Sequence, residues 1–433
     1  MEAGVGLGLV NPASMSAVVW PAPDYASVAA SVRGLFEFLG LDAANPLRRW
    51  ISPGMTVVVK PNWVKHESGP TVGQNALFTH ASLVRVIIDA VLEALAGQGR
   101  VVVADAPLQG CDFARFRLQS GLAEMERDYT RSPVEFLDLR QQWAEIDDST
   151  SYVYRVHPLA GDPRGYSVVE LGERSRLASL GPNVRFGVAD YAAEPGGPAR
   201  GYPISNTVLS ADVIVNLPKL KTHIKTGMTG ALKNFVGIVG SKQFLPHYRA
   251  GSPRAGGDEY PGGNWLSRAA SRARELLQAR APLWLWKLAR AGAHTISSAP
   301  IHGGGWHGND TLWRTIHDLV GIARNYDVGG APRPQPRTIL TLVDAIVAGE
   351  DCGPLKPRPK PCGWLIWGED PGIVDVTCAT LMGFDWRRIS LLSHLCDAEA
   401  RVFTGFSGET PTVPVDAHPF VAPAGWAGEI EMV

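Results

Sequence analysis

A strand, helix, strand pattern between residues 54 and 105 constrains the fold of this chain more than any other feature. Residues 54–61 (GMTVVVKP) form a β-branched run that ends at proline, as expected of a strand buried on both faces. Residues 81–96 place apolar side chains at helical spacing, and residues 100–105 (RVVVAD) form a second apolar run. Two strands joined through a helix lie parallel in one sheet, so the pattern predicts an α/β fold.

The remaining chain predicts two lobes and an insertion. We expect mostly parallel sheets flanked by helices, with a cleft between an N-terminal α/β lobe (1–260) and a C-terminal α/β segment (301–433). Residues 261–300 form an amphipathic helical insertion in which Arg and Lys alternate with Trp, and this insertion is a candidate lid, partner surface or membrane-surface helix. The alternative is a helix pair that packs on the body. Further strands are predicted from apolar runs at 134–139, 211–218, 338–344 and 363–367.

Composition excludes several classes of protein. The chain has 41 Lys+Arg against 42 Asp+Glu, so no overall field draws it to nucleic acid or to anionic membranes. With 45% hydrophobic and 19% charged residues it is a globular chain, neither disordered nor a coiled coil. Its five cysteines include no C-x-x-C pair, so we expect no iron–sulfur cluster and no disulfide framework. Because neither a signal peptide nor an apolar span is evident, we expect a cytoplasmic protein with no transmembrane segment.

Residues 216–234 (NLPKLKTHIKTGMTGALKN) are the most informative stretch for function. Lysines and a histidine follow the end of a predicted strand and open into a glycine-containing loop. In open α/β sheets, ligands bind beyond the carboxyl ends of strands, and cations beside free backbone N–H groups bind anions. The stretch therefore predicts an anion site, the alternative being a solvated basic loop. The predicted anion-binding residues are Lys219, Lys221, Lys225, Thr229, Gly230, Lys233, Asn234, Asn62 and His80.

Polar residues also end the two strands of the first unit. Lys60 closes one and Asp105 the other, so an ammonium and a carboxylate are expected to face each other across adjacent strand tips. Such a pair serves either proton transfer or a purely structural role. We expect Asp344, at a later strand end, to face the lysines, and Asp375 to accept backbone N–H bonds as a helix cap. His80 begins a helix, where capping is the alternative to ligand binding.

One stretch of the sequence contains several residues of the types that bind metal ions. Histidines and aspartates lie close together between residues 302 and 318 (HGGGWHGND…HD), but their spacing matches no standard metal signature. A glycine-rich loop that enters a capped helix accounts for the pattern. A bound divalent metal therefore stays an open alternative, no metal ligand is assigned, and the residues identify no cofactor.

Several motifs resemble, in order along the chain, the bacterial and archaeal family called domain of unknown function 362. The resemblance runs from about residue 55 to 390. Many relatives append a ferredoxin-like segment with cysteine quartets, which this chain lacks, so a redox role does not carry over. The matching motifs are VKPN at 59–62, Thr79-His80, ADVIVNLPKLKTH at 211–223, TGALKN at 229–234, VDAI at 343–346 with Gly353-Pro354, and Val374-Asp375 with Met382-Gly383.

A shorter stretch, from His223 to Lys233, resembles the His…Gly-x-Ser-Gly…Lys motif of nickel-pincer lactate racemases. These are two-domain α/β enzymes whose cofactor and hydroxyacid lie in the interdomain cleft. The resemblance implies a lysine that helps to hold a cofactor and histidines that ligate nickel or move a proton. Ala231-Leu232 stand where those racemases usually have paired glycines, and no Ser-Asp-x-Thr-Arg segment follows the first strand. The cofactor is therefore not carried over.

Together these residues predict an enzyme that acts on a small carboxylate- or phosphate-bearing metabolite by proton-transfer chemistry of the isomerase, lyase or hydrolase type. His223 is the predicted acid/base, because an imidazole with a pKa of about 6.5 moves protons at neutral pH. Lys60, Asp105 and Asp344 complete the predicted catalytic set, which in an enzyme should converge on one cleft. The alternative is a non-catalytic anion- or ligand-binding protein in a larger assembly. Nucleic acid is disfavoured as the anion by the charge balance.

Overall fold

The computed structural model of the protein describes residues 17–68, 73–146, 153–180, 201–262, 303–408 and 418–432. The predicted helical insertion at 261–300 lies almost entirely outside these ranges. The strands are β1 (Val18–Pro21), β2 (Thr56–Pro61), β3 (Arg100–Asp105), β4 (Val134–Asp138), β5 (Gln142–Ile146), β6 (Val153–Pro158), β7 (Tyr166–Val169), β8 (Tyr202–Ser205), β9 (Val213–Leu217), β10 (Lys219–His223), β11 (Gly227–Thr229), β12 (Thr338–Glu350) and β13 (Arg358–Gly368). The helices are α1 (Val28–Phe38), α2 (Ala81–Leu95), α3 (Phe113–Gln119), α4 (Leu122–Asp128), α5 (Asn206–Leu209), α6 (Ala231–Asn234), α7 (Leu312–Asn325), α8 (Pro371–Leu381), α9 (Ser390–Ser393) and α10 (Ala398–Thr404).

The main sheet has the strand order β1-β13-β12-β9-β2-β3-β4, with β10 and β11 beside β12. Pairing is parallel from β12 through β9, β2 and β3 to β4, and antiparallel between β12, β13 and β1. The predicted α/β class, a mostly parallel sheet flanked by helices, is confirmed. Strands from the predicted C-terminal segment lie in the same sheet as strands from the predicted N-terminal lobe, and the boundaries at 260 and 300 stay predictions. No helix in the described ranges is long and apolar enough to cross a membrane.

Alternate residues of the central strands supply two hydrophobic cores, one on each face of the sheet. Val57 and Val59 of β2 pack with residues of α1 to α4, whereas Val58 packs with residues of α6, α7 and α8. Successive side chains of a strand point to opposite faces. Because both faces are covered, the strand sequences are continuously apolar, which is the pattern that made them recognisable.

The lysine-rich stretch is a β-hairpin, which corrects the predicted loop. Strand β9 pairs with β2 as far as Leu217, and after Pro218 the chain continues as β10 along the second half of β12. Strand β10 also pairs antiparallel with β11. The prediction failed because lysines seldom occupy a buried strand. Since the pairing of β2 with β9 ends at Leu217, β10 projects beyond the carboxyl end of β2, and this position brings its side chains to the ligand-binding edge of the sheet.

Candidate functional site

A buried ion pair joins the carboxyl ends of β2 and β3, as expected from the sequence. The Nζ atom of Lys60 lies 2.7 Å from Oδ1 of Asp105, and the two side chains are 1% and 4% exposed. The other carboxylate oxygen accepts a hydrogen bond from the backbone N–H of Trp63 at 2.8 Å. A Cβ atom at Gly237 would overlap the Asp105 carboxylate, so a glycine is required there. The charges of Lys60 and Asp105 cancel, so the pair has no net charge that would attract a ligand.

A second buried ion pair joins β10 to β12. The Nζ atom of Lys219 lies 3.0 Å from Oδ2 of Asp344, and both side chains are fully buried. Oδ1 accepts a hydrogen bond from the Tyr25 hydroxyl at 2.9 Å, and Oδ2 accepts one from the backbone N–H of His80 at 3.0 Å. Asp344 therefore faces a lysine of the hairpin, as expected. Lys219 is neutralised by this contact, which leaves its predicted role in anion binding without a free charge.

Two further residues complete the surroundings of Asp344. The Tyr25 ring stacks on the His80 imidazole with centroids 3.8 Å apart. Burial and the Asp344 carboxylate raise the pKa of Tyr25 well above its usual value, so its hydroxyl stays a donor. His80 caps α2, since its Nδ1 accepts a hydrogen bond from the Ser82 backbone N–H at 3.2 Å. The sequence analysis missed Tyr25, which lies in the N-terminal segment outside every recognised motif.

Three asparagine side chains form an amide relay that ends at Lys221. Asn234 Nδ2 donates to Oδ1 of Asn216 at 2.8 Å, and Asn62 Nδ2 donates to Oδ1 of Asn234 at 3.0 Å. The Asn62 oxygen is thereby turned toward Lys221 and accepts a hydrogen bond from its Nζ at 3.0 Å. The Leu77 carbonyl is the second acceptor of Lys221. Asn62 and Asn234, predicted to bind an anion, orient this lysine in the structure.

One buried and two half-buried lysines of this site have no carboxylate beside them among the described residues. Within the described ranges, no carboxylate lies at ion-pair distance from Lys221, Lys233 or Lys242. Burial and the nearby charges of Lys233 and Lys219 lower the pKa of Lys221 well below its usual value. Burial, with Lys225 and Lys60 adding repulsion, lowers the pKa of Lys233 to about 8, and burial lowers that of Lys242 to about 7. The ammonium groups repel one another, and the attraction of Asp105, which is paired with Lys60, does not offset burial and this repulsion.

Two histidines lie within the same group of lysines. Burial, Lys233 and Lys225 lower the pKa of His223 well below its usual value, and burial and Lys225 lower that of His247 to about 3. His223 Nδ1 accepts a hydrogen bond from the Lys225 backbone N–H at 3.0 Å. The neutral imidazole therefore carries its proton on Nε2. Lys242 and His247, which sequence reasoning missed, follow α6 without a motif of their own.

One face of the hairpin gathers the polar side chains. Lys219, Lys221 and His223 alternate along β10 and so share a face, and Thr229 stands directly opposite Lys221 in β11. The Thr229 side chain is 2% exposed, and its hydroxyl has no hydrogen-bond partner in the part of the chain that the structure describes. Buried hydroxyl groups are nearly always hydrogen-bonded. The Thr229 hydroxyl is thus suited to a polar ligand group beside Lys221.

The backbone N–H groups that follow Gly230 bind a carboxylate of the protein itself, and the predicted role of this glycine in binding an external anion stays a prediction. The N–H groups of Ala231 and Leu232 donate to the two carboxylate oxygens of Asp375 at 2.6 and 3.0 Å. A Cβ atom at Gly230 would overlap that carboxylate. Burial raises the pKa of Asp375 to about 7. Asp375 is a helix cap as expected, but it caps α6, while Asp370 caps its own helix.

Of the four residues predicted to be catalytic, Lys60 and Asp105 contact each other, whereas Asp344 and His223 bond to other residues in the described structure. Asp105 bonds to Lys60 and Asp344 to Lys219, and neither carboxylate bonds to His223 in the described structure. Both carboxylates attract Lys221, although neither lies at ion-pair distance from it. Within the described ranges, no group of three His, Cys, Asp or Glu side chains comes together to hold a metal ion. The arrangement is two neutral ion pairs with a cationic region among them.

The sequence pattern of the site is shared with a known family. The model of the family described as domain of unknown function (DUF362) matches residues 57–160 and 181–380, which is more than half of the chain. Both ion pairs, the hairpin and Asp375 fall within the matched residues, whereas Tyr25 precedes them. No curated protein matches the chain.

Replacement of Asp344 by Asn should destabilise the protein strongly. The change leaves the Lys219 ammonium buried without its counter-ion, and we expect the free energy of unfolding to fall by about 3 to 5 kcal/mol. The double variant with Lys219→Met should recover a large part of this loss, because it removes the stranded charge. Asp128→Asn, which breaks an exposed ion pair with Arg85, should cost less than about 1 kcal/mol. Chemical denaturation of the four proteins measures these differences, and equal losses for Asp344→Asn and Asp128→Asn would contradict the assignment.

Proposed function

The chain belongs to the family described as domain of unknown function (DUF362), and we propose that it is an enzyme that binds a small anionic metabolite and transfers a proton on it. One observation carries the proposal: lysines outnumber carboxylates among the buried and half-buried residues of the site. Lys60 and Lys219 have their own carboxylates, whereas Lys221, Lys233 and Lys242 have none within the described ranges. Charges are rarely buried without a partner, and a bound carboxylate or phosphate would supply the missing negative charge.

The position of the lysines supports ligand binding. They lie beyond the carboxyl ends of parallel strands, where α/β sheets bind ligands. Lys233 is only half-buried, so it faces the route by which a ligand would enter, while Lys221 lies deeper. In our proposal Lys225 and Lys233 hold the charged group of the metabolite, and the Thr229 hydroxyl bonds to a second polar atom.

His223 is the proposed proton carrier. In the free protein its Nδ1 is occupied by the Lys225 N–H, so the imidazole offers an Nε2–H donor to a substrate oxygen. Burial and repulsion by neighbouring lysines depress its pKa, and a bound anion would offset the repulsion and raise the pKa. Binding of the substrate would thereby prepare the imidazole to accept and return a proton.

The second candidate function is non-catalytic anion binding within a larger assembly. It is favoured by one observation, namely that no carboxylate contacts His223 to orient it within the described residues. An anion-binding protein needs the lysines but not a titrating imidazole. The two candidate functions therefore differ in what a change at His223 should do.

Anion binding should weaken as the pH rises. Lys242 and Lys233, with pKa values of about 7 and 8, lose their protons between about pH 6 and 9, and the site then loses positive charge. We expect the affinity for oxalate and inorganic phosphate, measured by calorimetry, to fall across this range. Lys233→Met should lower the affinity at pH 7 on the order of tenfold or more, since it removes a charge-assisted hydrogen bond.

The matched control is Lys356→Met, which removes an exposed lysine and should leave the affinity unchanged. If neither anion binds, or if the affinity is the same in both lysine variants, the anion site is wrong.

Proton transfer should depend on His223. We expect the wild-type protein to incorporate solvent deuterium into at least one member of a panel of small hydroxy acids, oxo acids and phosphate esters, followed by NMR in deuterated water. His223→Gln keeps a polar side chain that does not titrate, and it should slow this exchange by about a hundredfold or more while oxalate still binds.

His157→Gln is the control, because His157 pairs with Glu145 in the separate sheet formed by β5 and β6. Exchange that is equally fast in His223→Gln would exclude the acid/base role. Binding of oxalate with no exchange in the wild-type protein would favour the non-catalytic alternative.

A further inference from the structure

We propose that Lys221 is a nucleophilic amine that forms an imine with a small anionic aldehyde or ketone. The inference rests on the proposed function and narrows its substrate class to carbonyl compounds. It starts from a difference among the three fully buried lysines of the site. Lys60 and Lys219 each contact a carboxylate, whereas Lys221 contacts only neutral acceptors in the described structure.

The hydrogen bonds of Lys221 match those of a neutral amine. Its Nζ donates to Oδ1 of Asn62 and to the Leu77 carbonyl. A neutral amine has two N–H donors and a lone pair, whereas an ammonium has three donors and no lone pair. Two acceptors therefore satisfy the amine form completely and leave its lone pair available.

The amide relay sets the position of this amine. Asn62 must present its oxygen to Lys221, because its Nδ2 already donates to Asn234, which is in turn held by Asn216. Three connected side-chain amides therefore fix the direction of the Lys221 amine, whereas the amine of a surface lysine is free to move. Hydrogen bonds commonly hold a nucleophilic side chain in an active site, because its precise placement increases the reaction rate.

The surrounding charges favour the neutral form. Burial together with Lys233 and Lys219 lowers the pKa of Lys221 well below its usual value, which favours the neutral amine. A desolvated lysine beside other cations is a recognised way of activating an amine as a nucleophile. The same cations would attract a substrate that carries a carboxylate or a phosphate.

Two hydrogen-bond donors are available near Lys221 for the carbonyl oxygen of the substrate. Thr229 is directly across from Lys221 in the hairpin, with Cβ atoms about 5 Å apart, and its buried hydroxyl has no partner in the described residues. His223 lies two residues along β10 on the same face and carries its proton on Nε2. Neutral hydrogen-bond donors of this kind polarise a carbonyl and stabilise the oxyanion that forms on attack.

The step balances without an oxidant or a reductant. The Nζ lone pair attacks the carbonyl carbon, and the electron pair of the C=O π bond moves to oxygen. The two amine protons leave with that oxygen as water, and a C=N bond remains. Protonation of the imine nitrogen makes it an electron sink for loss of a proton from the adjacent carbon, which is the proton transfer that the proposed function requires.

Reductive trapping tests the proposal on the full chain. The protein is incubated with pyruvate, glyoxylate or dihydroxyacetone phosphate, reduced with sodium borohydride and analysed by intact mass and peptide mapping. We expect one adduct per chain, on Lys221, with at least one of the three probes. Lys221→Arg should lose the adduct, because a guanidinium stays protonated, whereas Lys356→Arg should keep it.

Oxalate binding measured on the same samples separates the two proposals. Oxalate binding with no adduct on Lys221 from any probe, or with adducts spread over surface lysines, overturns the imine and leaves the anion site intact. Absence of both binding and adduct overturns both proposals. Mapping of the wild-type adduct identifies the lysine directly, so the test does not depend on the folding of Lys221→Arg.

Discussion

Burial of ammonium groups at the carboxyl edge of a parallel sheet is the constraint on which the rest of this structure depends. Each buried charge costs several kcal/mol in lost hydration unless a partner restores the lost interactions. The protein provides such partners twice, in the contacts of Lys60 with Asp105 and of Lys219 with Asp344. Where it provides none among the described residues, around Lys221 and Lys233, the folded state favours either loss of a proton or the arrival of an anion.

The sheet topology creates this situation. Strand β9 lies between β12 and β2. After Pro218 the chain continues as β10, which still pairs with β12 on one side but pairs with β11 on the other. The hairpin therefore carries cations past the ends of β2 and β3 while it remains covered by the body. Glycines at 230 and 237 let the Asp375 and Asp105 carboxylates approach closer than any side chain would permit. The scaffold thus neutralises Lys60 and Lys219 but supplies no carboxylate at ion-pair distance from Lys221 or Lys233 in the described residues.

The buried parallel strands and the charged residues at their ends could be predicted from the sequence, because both follow local sequence patterns. Apolar runs such as Val57–Val59 marked the buried strands, and an ammonium and a carboxylate at adjacent strand ends, Lys60 and Asp105, implied their contact. The hairpin was hidden because Lys219, Lys221 and His223 alternate into a buried face, where propensity predicts apolar residues.

Other members of the site are set by tertiary contacts alone. Tyr25 reaches Asp344 from 319 positions away in the sequence, and Lys242 and His247 interact electrostatically with Lys233 through the tertiary fold. No local pattern reports such contacts. The lysine cluster itself was recognisable from sequence, but which of its members were already neutralised was not.

Anomalous diffraction from crystals grown in selenate tests the central claim most directly, because it locates the anion independently of any substrate. The account predicts a selenium peak on the face of the hairpin that carries Thr229, with selenate oxygens that accept hydrogen bonds from Lys233 Nζ and from Lys225 or Lys221. Selenium peaks confined to the outer surface, with Lys221 and Lys233 bonded only to protein groups and water, would contradict it.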